Sequence, residues 1–160
     1  MRLKASRLTP INDNYETCER TLAKLRIYGD KLDPGSITAV LGIEPTDSQS
    51  KGEIKKNSRG VGREAKIAGW FLSSEGHVQS KDVRKHLDWL LAKLLPVKDK
   101  LHAIQETEDL VMGVTCVWWS VGGDGGPTLW PEQMSLLAEL NLECGFEVAF
   151  YEDEIQSKMR

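Results

Sequence analysis

The chain has 160 residues and 40% hydrophobic content, enough for one core and little for two domains, and its formal net charge of -3 argues against a general nucleic-acid binder, whose footprint is a net basic domain. Its 3 cysteines, Cys18, Cys116 and Cys144, show no CxxC and no Cys/His cluster, so the pattern gives neither a disulfide framework nor a zinc site and suits reduced thiols in a cytoplasm. The opening "MRLKASRLTP" has no apolar signal region and no run approaches the ~20 apolar residues of a membrane span, so a cytoplasmic protein without membrane contact is expected.

Residues 1–15 carry no sustained apolar period and are expected as a flexible lead-in; a single domain should span 16–154, with 155–160 as a flexible tail. "TLAKLRIYG" alternates, Thr21, Ala23, Leu25 and Ile27 against Arg20, Leu22, Lys24, Arg26 and Tyr28, the period-two pattern of a strand with one core face. "LDPGSITAVLG" predicts a short helix with Asp33 as N-cap, Pro34 in first position, Ile37, Val40 and Leu41 on one stripe, and Gly42 as its stop. From "EPTDSQSKGE" to "REAKIAGWFLSSEG" the chain reads as a ragged hairpin, with a long polar excursion before a strand centred on Trp70, Phe71 and Leu72. Ser80 is expected to cap a long helix bearing Val83, Leu87, Leu90, Leu94, Val97, Leu101 and Ile104 at helical spacing, kinked rather than broken at Pro96.

"VMGVTCVWWSV" is apolar at nearly every residue, as expected of a central strand covered on much of both faces. "LWPEQMSLLAELN" supplies a helix beginning near Pro131, with Met134, Leu137, Ala138 and Leu140 inward. "CGFEVAFYED" closes as a strand in which Phe146, Val148 and Phe150 alternate with Glu147, Ala149 and Tyr151. "LDPGSITAVLGIE" and "LWPEQMSLLAELNLE" echo each other, as a duplicated strand-helix-strand unit would. The order βαββαβαβ makes this an α+β domain, a ferredoxin-like βαββαβ with an added αβ unit: a mixed, mostly antiparallel sheet with its three helices on one face.

The stretches "IYGDKLDPGSITAVLGIEPTDSQSKGE", "GWFLSSE", "HLDWLLAKLLP" and "CVWWSVGGDGGPTLWPEQMSLLAELNLECGFEVAFY" together resemble a bacterial family known only as domain of unknown function 4279, over roughly 22–151. The resemblance implies a small single-domain bacterial protein and brings no activity with it. Trp119 departs from the family pattern, which more often has a polar residue there, and so marks a contact surface particular to this chain.

The loop "GGDGGPTLW" lacks the Lys and Ser/Thr of a phosphate loop, and its glycine spacing is not that of a dinucleotide fingerprint. Its glycines read first as a corner supplying positive φ angles; the functional alternative puts the amides of Gly125 and Gly126, with Asp124, at a recognition site. The excursion 51–66 sets Lys51, Lys55, Lys56, Arg59, Arg63 and Lys66 against Glu53 and Glu64, a local positive excess able to steer an acidic partner or phosphate ligand, although a solvated loop with a mobile tip is the ordinary use of such charge. At the other end of the chain, Glu143, Glu147, Glu152, Asp153 and Glu154 gather acid as a solubilising edge. On the sheet face away from the helices, Arg20, Lys24, Arg26 and Tyr28 should meet Glu147, Tyr151 and one of Trp118 or Trp119, with Arg26 opposite Glu147. Such a face suits a protein contact or a homodimer better than RNA, because the RNP aromatic spacing is absent.

No catalytic residue is assigned: His77, His86 and His102 lack metal-ligand spacing, no GxSxG elbow exists, and Cys116 lies in the most buried strand. No metal or cofactor is implied. Two functions of different class remain. One is a non-catalytic protein-binding module, such as an immunity-type inhibitor, whose contact candidates are Lys51, Arg59, Arg63, Trp70 and Trp119. The other is a small-ligand or phosphate-binding protein or enzyme that closes the 51–66 loop over the glycine turn at Asp124, Gly125 and Gly126.

Overall fold

A computed structural model describes residues 6–151 of the chain. β1 (Cys18–Gly29) is its spine. The alternation of its sequence is obeyed: Thr21, Ala23, Leu25 and Ile27 are buried on one face, while Arg20, Lys24, Arg26 and Tyr28 are half-exposed on the other. The chain continues through α1 (Pro34–Leu41) to β2 (Asp47–Gln49), a separate hairpin of β3 (Ile54–Lys56) and β4 (Gly62–Glu64), and β5 (Ala68–Ser73). Next come α2 (Val83–Leu94), α3 (Lys98–Gln105), β6 (Val111–Val121), α4 (Pro131–Glu139) and β7 (Cys144–Tyr151).

The main sheet has the order β2-β5-β1-β6-β7. Every pairing is antiparallel except that of β6 with β7, which is parallel. The crossover through α1 therefore spans β5, the crossover through α2 and α3 spans β1, and α4 links two adjacent strands. All four helices contribute to one core, with Ile37 and Leu41, Leu87 and Leu90, Leu101 and Ile104, and Leu137 and Leu140 packed on Ala23, Leu25, Ile27, Trp70, Leu72, Val114 and Cys116. The fold is thus α+β, a mixed and mostly antiparallel sheet with its helices on one face.

Several local expectations change. Pro96 does more than kink the long helix: lacking an N–H, it cannot extend the ladder, and a 3-10 turn at Leu95–Val97 separates α2 from α3. The apolar register nevertheless survives the turn, since Leu94, Leu101 and Ile104 stay buried. The N-cap of α2 is Asp82, not Ser80; its carboxylate accepts from the Arg84 N–H, while the Ser80 hydroxyl accepts from the Asp82 N–H and donates to Asp13. Val40 is exposed on α1, and on α4 Met134 and Ala138 face solvent while Gln133, Leu137 and Leu140 turn inward. By contrast, Asp33 caps α1 and Gly42 ends it at φ 67°, as its sequence predicts.

β6 is paired on both sides but is not the middle strand, and only one of its faces is covered. Val114, Cys116, Trp118 and Ser120 are buried, whereas Val111, Trp119 and Val121 are exposed. Its apolar composition reflects an uncovered face rather than two covered ones. Residues 6–15, within the expected lead-in, form no strand or helix but are held to the domain: the carbonyls of Thr9 and Pro10 accept from the Arg84 guanidinium. The expected acidic edge at Glu152, Asp153 and Glu154, and the tail 155–160, lie outside the described residues, as do residues 1–5.

Candidate binding face

Among the described residues no helix covers the sheet face opposite the core, and its side chains arrange themselves as cation and aromatic pairs. The Arg20 guanidinium lies 5.1 Å from the Trp119 ring centre and also pairs with Glu75. The Lys24 ammonium stands 4.7 Å over Phe71, whose ring meets Tyr28 edge-on at 5.3 Å. Burial pulls the Lys24 pKa below the usual lysine value, and neighbouring Arg26 adds to the effect. Arg26 reaches across β6 to Glu147 at 2.5 Å, so the expected partners meet although β1 and β7 are not adjacent. Gly69 makes room for this layer: a Cβ there would sit 2.4 Å from Cζ of the Phe71 ring.

The excursion 51–66 is a built hairpin rather than a loose loop. Ile54, Lys55 and Lys56 register with Glu64, Arg63 and Gly62. The Asn57 carboxamide accepts from the N–H groups of Arg59 and Val61, closing the tip by the side-chain turn geometry typical of asparagine. Two ion pairs fix the base to the sheet, Lys51 to Asp30 at 2.5 Å and Lys55 to Asp47 at 2.7 Å. The hydrogen bond from Lys51 also holds the Asp30 carboxyl below the usual carboxylate range. Lys55 leans over the sheet, 5.9 Å from the Phe71 ring.

Between hairpin and sheet lies a cleft of about 600 Å³ lined by Tyr28, Gln49, Lys55, Arg63, Lys66 and Val111. A smaller hollow of about 290 Å³, sharing Tyr28 and Val111, continues it along Arg26, Gly113 and Glu143. Among the described residues, Arg63 and Lys66 carry no ion pair, so their charge is open to a visitor.

The sequence-predicted contact residues divide accordingly. Lys51, Arg59 and Arg63 lie on the hairpin and Trp119 on the open face. Trp70 is fully buried on the helix side, its indole N–H donating to Thr38 Oγ1 at 3.0 Å, and so belongs to the core. Asp124, Gly125 and Gly126 sit at the opposite end of β6. That strand begins at Val111 beside the cleft and ends at Val121 before the turn, so at ~3.4 Å per residue the two places are roughly 30 Å apart. The hairpin therefore does not close over the glycine turn. The turn is the corner its glycines suggest: Gly122, Gly123 and Gly125 take φ angles of 79°, 80° and 79°. Gly125 also packs so close to Thr17 that a Cβ would lie 2.1 Å from its hydroxyl.

Two buried polar groups escaped the sequence reading. Arg84 and Asp82 form an ion pair only 1% and 3% exposed, doubled by the bond from Arg84 Nε to Asp82 Oδ1 at 2.8 Å, with Arg84 stacked 4.7 Å over Trp130. The short D-x-R spacing before an apolar helix was the available signal. Beside it, His86 Nε2 donates to the Ser80 carbonyl, which leaves Nδ1 to accept from the Ser74 hydroxyl at 2.6 Å, and Ser74 Oγ in turn accepts from the Ala23 N–H. Serine and histidine are both buried, and the hydroxyl proton and both ring nitrogens are engaged in hydrogen bonds, so this is a structural bridge rather than a nucleophile and base. Burial raises the Cys18 thiol to about 11; the hydrogen bond with Cys144, sulfur to sulfur at 3.7 Å, raises Cys116, with burial adding to it, and no disulfide joins the two. Among the described residues no group of three or more His, Cys, Asp or Glu is placed to hold a metal, and no helix is long and apolar enough to cross a membrane.

Fold and face together define a small α+β domain with a layered core on one side of its sheet and an open, cation-rich and aromatic surface on the other. The chain belongs to the family described as Domain of unknown function (DUF4279), which matches residues 16–151. No curated protein and no solved structure matches it.

Proposed function

We propose that the domain is a non-catalytic binding module that receives an acidic partner protein on its open sheet face, with the hairpin as one wall; an immunity-type inhibitor is one form such a module takes. The observation that carries this reading is the cleft under the hairpin, where, among the described residues, Arg63 and Lys66 stand without ion pairs beside the half-exposed Tyr28, while Trp119 lies at the far end of the same open face. Trp, Tyr and Arg are the residues that dominate protein interfaces, and unpaired cations steer an acidic partner toward them. The setting of the proposal is a bacterial cytoplasm, where three free thiols persist. Tagged protein expressed in its source organism should retain a stoichiometric partner, and the double variant R63E/K66E should lose it. Recovery of the chain alone, or a partner indifferent to the charge reversal, contradicts the proposal.

The second reading, a small anionic ligand, is favoured by one feature: a volume of about 600 Å³ lies within the range of ligand clefts. A thermal-shift screen of phosphorylated metabolites separates the two, since a ligand bound only by the folded state raises Tm by mass action. A flat screen removes the ligand reading and leaves the first untouched.

A further inference from the structure

The two edges of the sheet are treated differently. The β2 edge is 3 residues long, with Asp47 held by Lys55 of the neighbouring hairpin, a short and charged strand of the kind that resists further pairing. The β7 edge is 8 residues long, with no proline and no lysine. Its phase in the ladder is set by the Val114 N–H, which donates to the Glu143 carbonyl. Residues 145, 147 and 149 therefore turn their backbone groups toward β6, and those of Phe146, Val148 and Phe150 point outward along the open edge.

The side chains of the same three residues form an apolar stripe. They register with Cys116, Trp118 and Ser120 and so lie on the helix side of the sheet, yet Phe146, Val148 and Phe150 are 46%, 53% and 68% exposed. Among the described residues the core ends at β6, so this stripe stays exposed although it lies on the helix side. A long edge with an apolar stripe and backbone groups unpaired among the described residues is a template for another strand.

We propose that the strand it takes is β7 of a second copy of this chain, paired antiparallel about a two-fold axis through Val148. The residue pattern selects that register. With Val148 opposite itself, Phe146 lies opposite Phe150 of the other copy on the apolar side, and Glu147 lies opposite Ala149 on the other. A centre at Glu147 sets two carboxylates against each other, and a centre at Ala149 leaves Phe146 opposite no residue of the strand. The Val148 centre also matches outward N–H and C=O groups in hydrogen-bonded pairs, about six bonds in all, and joins the two sheets edge to edge. The contact is isologous, as a two-fold dimer requires, and it closes on itself without leaving β7 free to propagate.

Sedimentation of the full chain at tens to hundreds of micromolar, read alongside circular dichroism, tests this. Wild type should sediment at twice the chain mass. V148K, which places two ammonium groups on the axis at a solvent-exposed position, should sediment at the chain mass with an unchanged spectrum. V148C treated with a short thiol cross-linker should give a covalent dimer, and A149C, whose side chain faces Glu147 of the other copy, should give far less. A monomeric wild type, a V148K variant that remains dimeric, or a dimer in which V148C fails to cross-link overturns the proposal. R63E/K66E should stay dimeric, so loss of an acidic partner and loss of the dimer are read separately.

Discussion

Trp118 and Trp119, consecutive on β6, face opposite sides of the sheet: Trp118 is 1% exposed and meets Tyr15 edge-on at 5.2 Å, while Trp119 is 37% exposed beneath Arg20. The period of a strand turns one dipeptide into a core residue and a surface residue. Trp118→Ala should cost about 3–5 kcal/mol in urea unfolding, the usual loss for a large aromatic removed from a packed core. Trp119→Ala should cost under about 1 kcal/mol, since it forfeits one exposed cation-aromatic contact. Equal losses at the two positions would contradict the facing described here.

The buried pair of Asp82 and Arg84 predicts a second asymmetry. Asp82→Ala leaves a guanidinium buried without its carboxylate and should destabilise the fold by about 3–5 kcal/mol. Replacing both residues with apolar ones should cost less than the sum of the single losses, a coupling measurable in a double-mutant cycle.

Acid should act in two stages. Burial lowers the His86 pKa, partly offset by the bond to the Ser80 carbonyl and by Asp82, so the folded state keeps this ring neutral while the unfolded chain protonates near its ordinary value of about 6.5. Stability should therefore fall as pH drops below about 6.5, and His86→Gln should flatten that limb. Asp82 follows at lower pH. Burial raises its carboxyl, but the bonds from Arg84 and the Asn12 N–H outweigh this and hold it below the usual range. Its contribution is present above about pH 4 and is lost as pH falls through the depressed folded value. Urea midpoints recorded from pH 8 to pH 3 would show both limbs (about pH 6.5 and about pH 4).

At the glycine corner, Gly125→Ala should be strongly destabilising and Gly126→Ala nearly neutral. The first combines a φ of 79° with a Cβ 2.1 Å from Thr17 Oγ1, whereas a Cβ on Gly126 meets nothing within 4 Å. Thermal melts of the two variants make the comparison. Similar Tm values would mean that the corner does not need its glycine.

Alternation and helix punctuation carried most of the fold. Thr21 to Ile27 assigned the faces of β1, Asp33 and Gly42 bounded α1, and the leucines of α2 and α3 pointed inward across Pro96. Composition misled where coverage depends on neighbours. Val111 to Val121 is apolar on both faces although only one is buried, and Phe146, Val148 and Phe150 alternate like core residues on an edge that no helix among the described residues covers. Trp70 was placed among contact residues because its burial depends on which face of β5 meets α1. The hairpin charges were legible as a local excess. Their meeting with Tyr28 was not, because it depends on β2 pairing with β5 and on Lys51 and Lys55 tying the hairpin to the sheet.

The central claim is that the open face under the hairpin is the recognition surface. Its most direct test is a titration of isotope-labelled protein with a glutamate-rich peptide, followed by amide chemical shifts at low and at physiological salt. The account predicts shifts clustered at Tyr28, Lys55, Arg63, Lys66 and Val111, weakened by salt and abolished in R63E/K66E. Absence of any shift, or shifts gathered on α2 and α4 with the hairpin silent, would contradict it.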